Sequence, residues 1–400
     1  ISGLGFDEMM INGRKVGNRV LEPAQSTYNK RIYYSTYDVT EYLHTGVNVL
    51  LATVAPGWYG MSKLRLQLEV IDKNGNLAVW TSNNVRSVTT GPTVYSTIFD
   101  GECYDARQDI PALYEPGVPA GLMNQSWGWA HVADAPGGRM VSQMMEPIEV
   151  VDSLVTQLIG VPLPGVYVFD TKQNLAGWAS LRVEGERGRQ VTMKFAESLY
   201  DDGTINQENL RNAKVTDTYI LKGEGIEKWE PRFTYHGFRY IQVEGLPKAP
   251  KEGDIVVKIV RNAVAKTGEF RCSNELLNRI HKMVVATESS NLHSVPTDCP
   301  QRDERMGWMN DMTVRIEQAL YNFDLSRFYP KFLDDVSDTQ DEAGTITCVA
   351  PYRFGERPAD PVSASYLLLA WKCYEYYGNF NVVRDHYDGM KAWVDYLASR

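Results

Sequence analysis

The sequence predicts a multidomain protein in which two antiparallel β-sandwich domains precede an all-helical region. Three observations carry this reading. Period-two alternation of apolar residues recurs before residue 262, apolar residues fall at helical spacing after about 265, and 400 residues exceed what one hydrophobic core usually organises. The expected domains are 1–150, 151–262 and 263–400.

In the first segment, "MMINGRKV" sets Asn12-Gly13 between apolar residues, a strong hairpin signal. "LRLQLEVIDKNGNLAVW" alternates Leu64, Leu66, Leu68 and Val70 against Arg65, Gln67 and Glu69, then turns at Asn74-Gly75. Such alternation gives a strand one wet and one dry face, as in a sandwich. "APGWYG" reads as a packed aromatic turn around Trp58 and Tyr59, with a sugar-binding loop as the other reading. In the second segment Val191, Met193 and Phe195 alternate in "QVTMKFAE", and "FRYIQVEG" makes another strand. The polar, turn-rich "DDGTINQENLRNA" lies between them.

The third segment changes period. "CSNELLNRIHKMVVATESSN" spaces Leu276, Leu277, Ile280, Met283 and Val284 for one helix face behind a Ser273 cap. Further helical patterns cover 303–322, 325–339, 362–377 and 381–398. Asp324 is the expected cap of the third pattern, and Gly378 the stop of the fourth. Pro330 predicts a kink or a late start. Two sandwiches feeding a helical region is a recurrent layout of carbohydrate-active enzymes.

Composition narrows the function classes. The net charge of −9 comes without a basic block, which argues against nucleic acid as a partner and gives little attraction to an anionic membrane surface. No apolar run approaches the ~20 residues of a membrane-spanning helix. Cys103, Cys272, Cys299, Cys348 and Cys373 are scattered, and the six histidines form no HExxH pair, so neither a disulfide framework nor a metal site is indicated. The sequence opens "ISGLGFDEMM" without an initiator methionine and stops inside a helical pattern. It therefore reads as a fragment, and a missing leader says nothing of its compartment.

"TDCPQRDERMGWMND", residues 297–311, gathers Asp298, Asp303, Glu304, Asp311, Arg302 and Arg305 around Trp308. One reading is a helix beginning near Arg302 or Asp303 whose first-turn acids face the positive end of its dipole. The other is the wall of a site. Helical spacing would put Glu304, Trp308 and Asp311 on one stripe, an indole between two carboxylates. Asp298 and Arg302 would stand in the loop just before. An aromatic face with charged acceptors suits a sugar. Glycoside cleavage needs one carboxyl protonated and another ionised, and crowded acids raise at least one pKa, while Arg302 and the dipole push the other way.

"DCPQRDERMGWMND" closely resembles the signature of the bacterial α-L-rhamnosidases, a family of inverting glycoside hydrolases. "GFDEMMINGRKVGNRVLEPAQSTYNKRIYYSTYDVTEYL", "APGGRMVSQMMEPIEV", "DTYILKGEGIEKWEPRFTYHGFRYIQVEGLP" and "GEFRCSNELLNRI" resemble successive parts of the same family, in order. The resemblance implies a carbohydrate-binding-like sandwich, a concanavalin-like sandwich, and the N-terminal part of an (α/α)6 catalytic barrel. It implies hydrolysis of terminal α-L-rhamnosyl residues with inversion, without a redox or nucleotide cofactor. By position, Glu304 matches the general acid. Asp298, Arg302 and Asp311 match residues that hold the rhamnose hydroxyls, Trp308 the aromatic wall, and Asp303 a brace for the helix start.

Three departures accompany the match. Met309 and Asn310 stand where the family has a small pair. Val362 and Ala364 stand where members often carry a tryptophan and an aspartate, with Asp360 nearby. The general base, a late-barrel glutamate in the family, is expected beyond Arg400, because twelve barrel helices do not fit into residues 263–400 with five patterns. A sugar-binding protein that has lost turnover, or a related barrel glycosidase for another sugar, are the alternative readings.

Overall fold

Asn12 and Gly13 both take positive φ, 51° and 77°, and turn the strand Phe6–Ile11 into Arg14–Lys15 with Ile11 opposite Arg14. The Asn-Gly pair accepts this left-handed geometry with little steric cost, so the hairpin forms where expected. The computed structural model describes residues 1–84, 86–87, 91–110, 128–360 and 364–400. Leu50–Ala55 pairs with the other edge of Phe6–Ile11 and completes a three-stranded sheet. The strand expected through residues 64–71 is instead two. Lys63–Arg65 pairs with Ser2–Leu4, whereas Gln67–Ile71 pairs with Leu77–Thr81. The break at Leu66 reflects two different partners, which alternation alone does not reveal. Asp72 tightens the second hairpin by accepting the N–H groups of Asn74 and Asn76. Trp58 packs edge-on against Phe99 at 5.8 Å and Tyr59 against Tyr28 at 5.0 Å, so the aromatic turn is packed inward.

The central feature is a ten-stranded sheet. Its order is Thr93–Thr97, Gly101–Asp105, Thr216–Ile220, Gln190–Ala196, His236–Glu244, Val166–Glu184, Ile255–Asn262, Ile148–Val155. Gln157–Leu163 and Ile226–Trp229 also pair with Val166–Glu184. Val191, Met193 and Phe195 turn into the core with Phe238 and Ile241, as their alternation requires. The sheets are not wholly antiparallel. Gly101–Asp105 runs parallel to Thr216–Ile220, and Arg31–Tyr34 parallel to Arg139–Ser142. Both are long-range pairings with no local turn to announce them. The large sheet thereby takes strands from either side of residue 150.

Glu102 lies fully buried where those parallel strands meet. It accepts the N–H groups of Phe233 and Arg232 at 3.2 and 3.3 Å. Burial first, then the neighbouring Asp217 anion, pushes its carboxyl up to about 7 from an ordinary 4.5. A carboxyl raised in the folded state contributes full stability below its unfolded value and loses it as pH rises through the folded one. Glu102→Gln keeps an acceptor for the two amides and removes the anion. It is expected to leave stability near pH 5 about unchanged and to raise it near pH 8 by on the order of 2 kcal/mol, read as urea midpoints at both pH values.

Five helices follow among the described residues: α1 Glu275–Ser289, α2 Met309–Asn322, α3 Phe328–Asp338, α4 Ser365–Tyr377 and α5 Phe380–Ala398. None is long and apolar enough to cross a membrane. α1 is capped by Asn274, which accepts from Leu276 and Leu277, not by Ser273. Asp324 accepts Ser326 N–H in a turn ahead of α3 and does not cap the helix. Pro330 falls in the first turn of α3, where its missing N–H costs nothing, hence the late start. Gly378 ends α4 at φ 64°. Met309, Met312, Ile316 and Ala319 of α2 meet Phe332 and Val336 of α3 and Tyr366 and Leu369 of α4 in one core. The apolar stripe of α1 stays exposed, Leu276 at 62% and Met283 at 61%.

Candidate active site

The largest correction to the sequence reading falls in the charged stretch. α2 begins at Met309, not at Arg302 or Asp303, so Glu304, Trp308 and Asp311 do not share a helical stripe. Residues 297–308 form a folded loop instead. Asp298 N–H donates to Met306 O at 2.9 Å, and Asp298 Oδ1 accepts Met306 N–H at 2.8 Å, closing a clasp around Arg302 to Arg305. Arg305 sits at φ 56°, a left-handed conformation that no helix tolerates. Two glycines admit the loop to its neighbours. A Cβ on Gly237 would lie 2.7 Å from the Pro300 ring, and one on Gly307 would lie 2.2 Å from Ala350 O. Ala350 N–H then bonds Gly307 O at 3.0 Å, and Met309 N–H bonds Cys348 O at 2.9 Å.

The loop delivers a carboxylate into a cage of donors. Glu304 is 7% exposed. Its Oε1 accepts the indole Nε1–H of Trp308 at 2.9 Å. Its Oε2 pairs with Arg302 Nη2 at 2.8 Å and with Arg211 Nη1 at 3.0 Å. The carboxyl thus neither faces bulk water nor sits in one bidentate arginine fork. Asp298 stands 3.5 Å from the same Arg302 Nη2. Burial raises its pKa above the ordinary value, with the Cys299 thiol and Met306 N–H acting against the rise. Of the crowded acids, Asp298 is thus one held toward its neutral form.

Trp308 is half-buried and caps α2 from its backbone. Phe354 meets it edge-on at 5.7 Å and 77° and is exposed beyond 40%, which extends the aromatic surface of Trp308 beside Glu304. Asp311 lies in the first turn of α2, exposed and outside the hydrogen-bonded cluster. Asp303 does not brace a helix start. Its Oδ2 accepts Asn212 Nδ2 at 2.9 Å and Asn212 N–H at 3.3 Å. Of the departing residues, Asn310 bonds Asp360 at 3.1 Å and Ala364 directly precedes α4, while Val362 lies outside the described residues. Hydrogen bonds and ion pairs therefore unite Asp298, Arg302, Glu304 and Trp308, while Asp311 stands three residues beyond Trp308 in the first turn of α2, outside those bonds.

Two contributors had no signal in the sequence. Arg211 and Phe354 reach the cluster from 93 residues before Glu304 and 46 residues after Trp308, respectively, through tertiary structure alone. The ligand atoms of Asp298, Cys299 and Glu304 lie within 4.8 Å of one another, a spacing that could hold a metal ion. The donor chemistry does not fit one. A cation there would face the two guanidiniums already paired with Glu304 Oε2. A surface cavity of 340 Å³ lined by Arg261, His281, Lys282 and Phe323 among others shares no residue with this cluster.

β-Sheet domains lead into five helices among the described residues, and the acid–arginine–indole cluster stands in the loop between the first two helices. The chain belongs to the bacterial α-L-rhamnosidases. Its residues 1–152 match the α-L-rhamnosidase N-terminal domain, 162–261 the bacterial α-L-rhamnosidase concanavalin-like domain, and 265–400 the bacterial α-L-rhamnosidase six-hairpin glycosidase domain. It is 37% identical over 412 residues to an α-L-rhamnosidase of Streptomyces avermitilis, an alignment covering 99% of this chain and 40% of that protein. The structure of α-L-rhamnosidase from Dictyoglumus thermophilum superposes with a TM-score of 0.97 at 40% identity, over all of this chain and 45% of that one. The Streptomyces avermitilis α-L-rhamnosidase complexed with L-rhamnose gives 0.96 at 36% identity, over all of this chain and 40% of that one. The chain spans less than half the length of these relatives.

Proposed function

We propose that the protein removes terminal α-L-rhamnose from glycans or glycosides by an inverting acid/base hydrolysis. Glu304 is the general acid, Trp308 the aromatic wall, and Asp298, Arg302 and Asp311 the groups that hold sugar hydroxyls. Residues 1–150 and 151–262 serve as accessory sandwiches, and 263–400 begin an (α/α)6 barrel. The observation that carries this reading is the Glu304 carboxyl, buried between an indole N–H and two guanidiniums beside the Trp308–Phe354 ring pair.

In this scheme Glu304 gives its proton to the glycosidic oxygen as that bond breaks. A water attacks the anomeric carbon from the opposite face and loses its proton to a second carboxylate, roughly 6.5–9.5 Å from the first. That base is assigned to protein outside these 400 residues. The first product is then β-L-rhamnose. The test is the full-length protein on a panel of aryl glycosides, with proton NMR of the first-formed sugar. Preferred turnover of the α-L-rhamnoside with the β anomer first supports the reading. Saturable binding without turnover, preference for another sugar, or the α anomer first would sink it.

A further inference from the structure

Resting on that reading, we propose that Arg211, supplied by the connection between two strands of the large sheet and not by the helical segment, is a positioning residue for the general acid. Arg211 Nη1 lies 3.0 Å from Glu304 Oε2 across 93 residues of sequence. It follows the short turn Glu208–Leu210 with φ 59° and ψ −113°, a conformation that a non-glycine residue holds only when its surroundings enforce it.

The surroundings do so from both sides. Leu210, immediately before, is 1% exposed in the sheet core. Asn212, immediately after, bonds Asp303 twice, through its backbone and its side chain. Gln207 Nε2 donates to Phe195 O at 2.9 Å and ties the start of the turn to a central strand. The loop is therefore fastened to the sheet at one end and to the neighbour of Glu304 at the other. Between those fastenings it points one guanidinium at one oxygen.

Magnitudes separate this contact from a structural one. The Arg211 side chain is 53% exposed, and a half-exposed ion pair contributes little to stability. The strained backbone is thus poorly explained by folding energy. It is explained by orientation: Trp308 fixes one carboxyl oxygen of Glu304, and Arg302 with Arg211 fixes the other from two directions. A general acid must meet the leaving oxygen within hydrogen-bond reach, so loss of one tether lets the carboxyl swing.

The experiment compares Arg211→Met, Arg211→Lys and Glu304→Gln in the full-length protein, using an alkyl rhamnoside and a dinitrophenyl rhamnoside. The dinitrophenyl group departs without a proton, so it reports everything except acid assistance. Arg211→Met is expected to lower kcat on the alkyl substrate about 10- to 100-fold, with little change in KM, in the dinitrophenyl rate or in the thermal midpoint. Arg211→Lys should restore part of the loss. Equal losses on both substrates, a lowered thermal midpoint, or no loss at all would overturn the assignment. If Glu304→Gln shows the leaving-group dependence and Arg211→Met does not, only the Arg211 inference fails. If Glu304→Gln lacks that dependence, the general-acid reading fails first.

Discussion

Glu304→Gln is expected to lower kcat on a rhamnoside with a basic leaving group about 100- to 10,000-fold, the range that a positioned proton donor supplies. The loss should shrink toward nothing on the dinitrophenyl substrate. The side chain keeps its size but changes its valence. Oε1 of Glu304 accepts one indole N–H and Oε2 faces two guanidiniums, so every neighbour is a donor. An amide offers one acceptor and two donors of its own. Whichever way it turns, its NH2 meets either Trp308 or the arginine pair. The expected stability cost is about 1–3 kcal/mol, that of one unsatisfied polar contact, and a thermal melt checks that the fold survives. Product affinity for L-rhamnose should fall far less than turnover, because the acid acts on the leaving oxygen. Unchanged kcat on the basic leaving group would remove Glu304 from the role.

What was legible in the sequence follows the reach of the interactions. Asn12-Gly13 and Gly378 are legible in the sequence because a positive φ is a local property that Gly and Asn advertise. Val191, Met193 and Phe195 declared their face because the strand period is local too. Asp298, Arg302, Glu304 and Trp308 stand out together because eleven consecutive residues hold them. Their geometry was not legible. The helix expected from Asp303 is displaced to Met309 because Arg305 is held by Ile98 and Tyr235, far away in sequence. That displacement also takes Asp311 off the stripe it would have shared with Glu304. Arg211 was invisible for the same reason, and its positive φ carries no mark, since arginine is not a residue that signals it.

Arg305 itself is where the largest loss of stability is expected. It is fully buried, and its hydrogen bonds among the described residues all go to backbone carbonyls. Nη1 serves Ile98 and Tyr235, Nη2 serves Gln301 at 3.1 Å, and Nε serves Arg302 at 2.9 Å. The guanidinium also lies 4.9 Å from the centre of the Tyr235 ring and 5.6 Å from that of Phe99. One side chain thus joins two β segments to the loop that carries Glu304. Burying the cation is itself costly, and burial lowers its pKa from the usual arginine value, so truncation regains some desolvation energy. Against that stand the carbonyls of Tyr235, Gln301 and Arg302 left without their side-chain donor, Ile98 O left with only a long bond from Thr234 Oγ1, and a void between two rings. Arg305→Ala is therefore expected to cost on the order of 3–5 kcal/mol, read as a lowered urea midpoint. Arg305→Lys should recover little, because a single ammonium cannot reproduce the planar fork. Activity should fall with stability here, on good and poor leaving groups alike, since the whole loop loosens. That pattern is the opposite of the one expected at Arg211, where the poor leaving group alone is affected. An Arg305→Ala protein with an unchanged urea midpoint would mean that the loop is held by the Asp298–Met306 clasp and the glycine contacts without it.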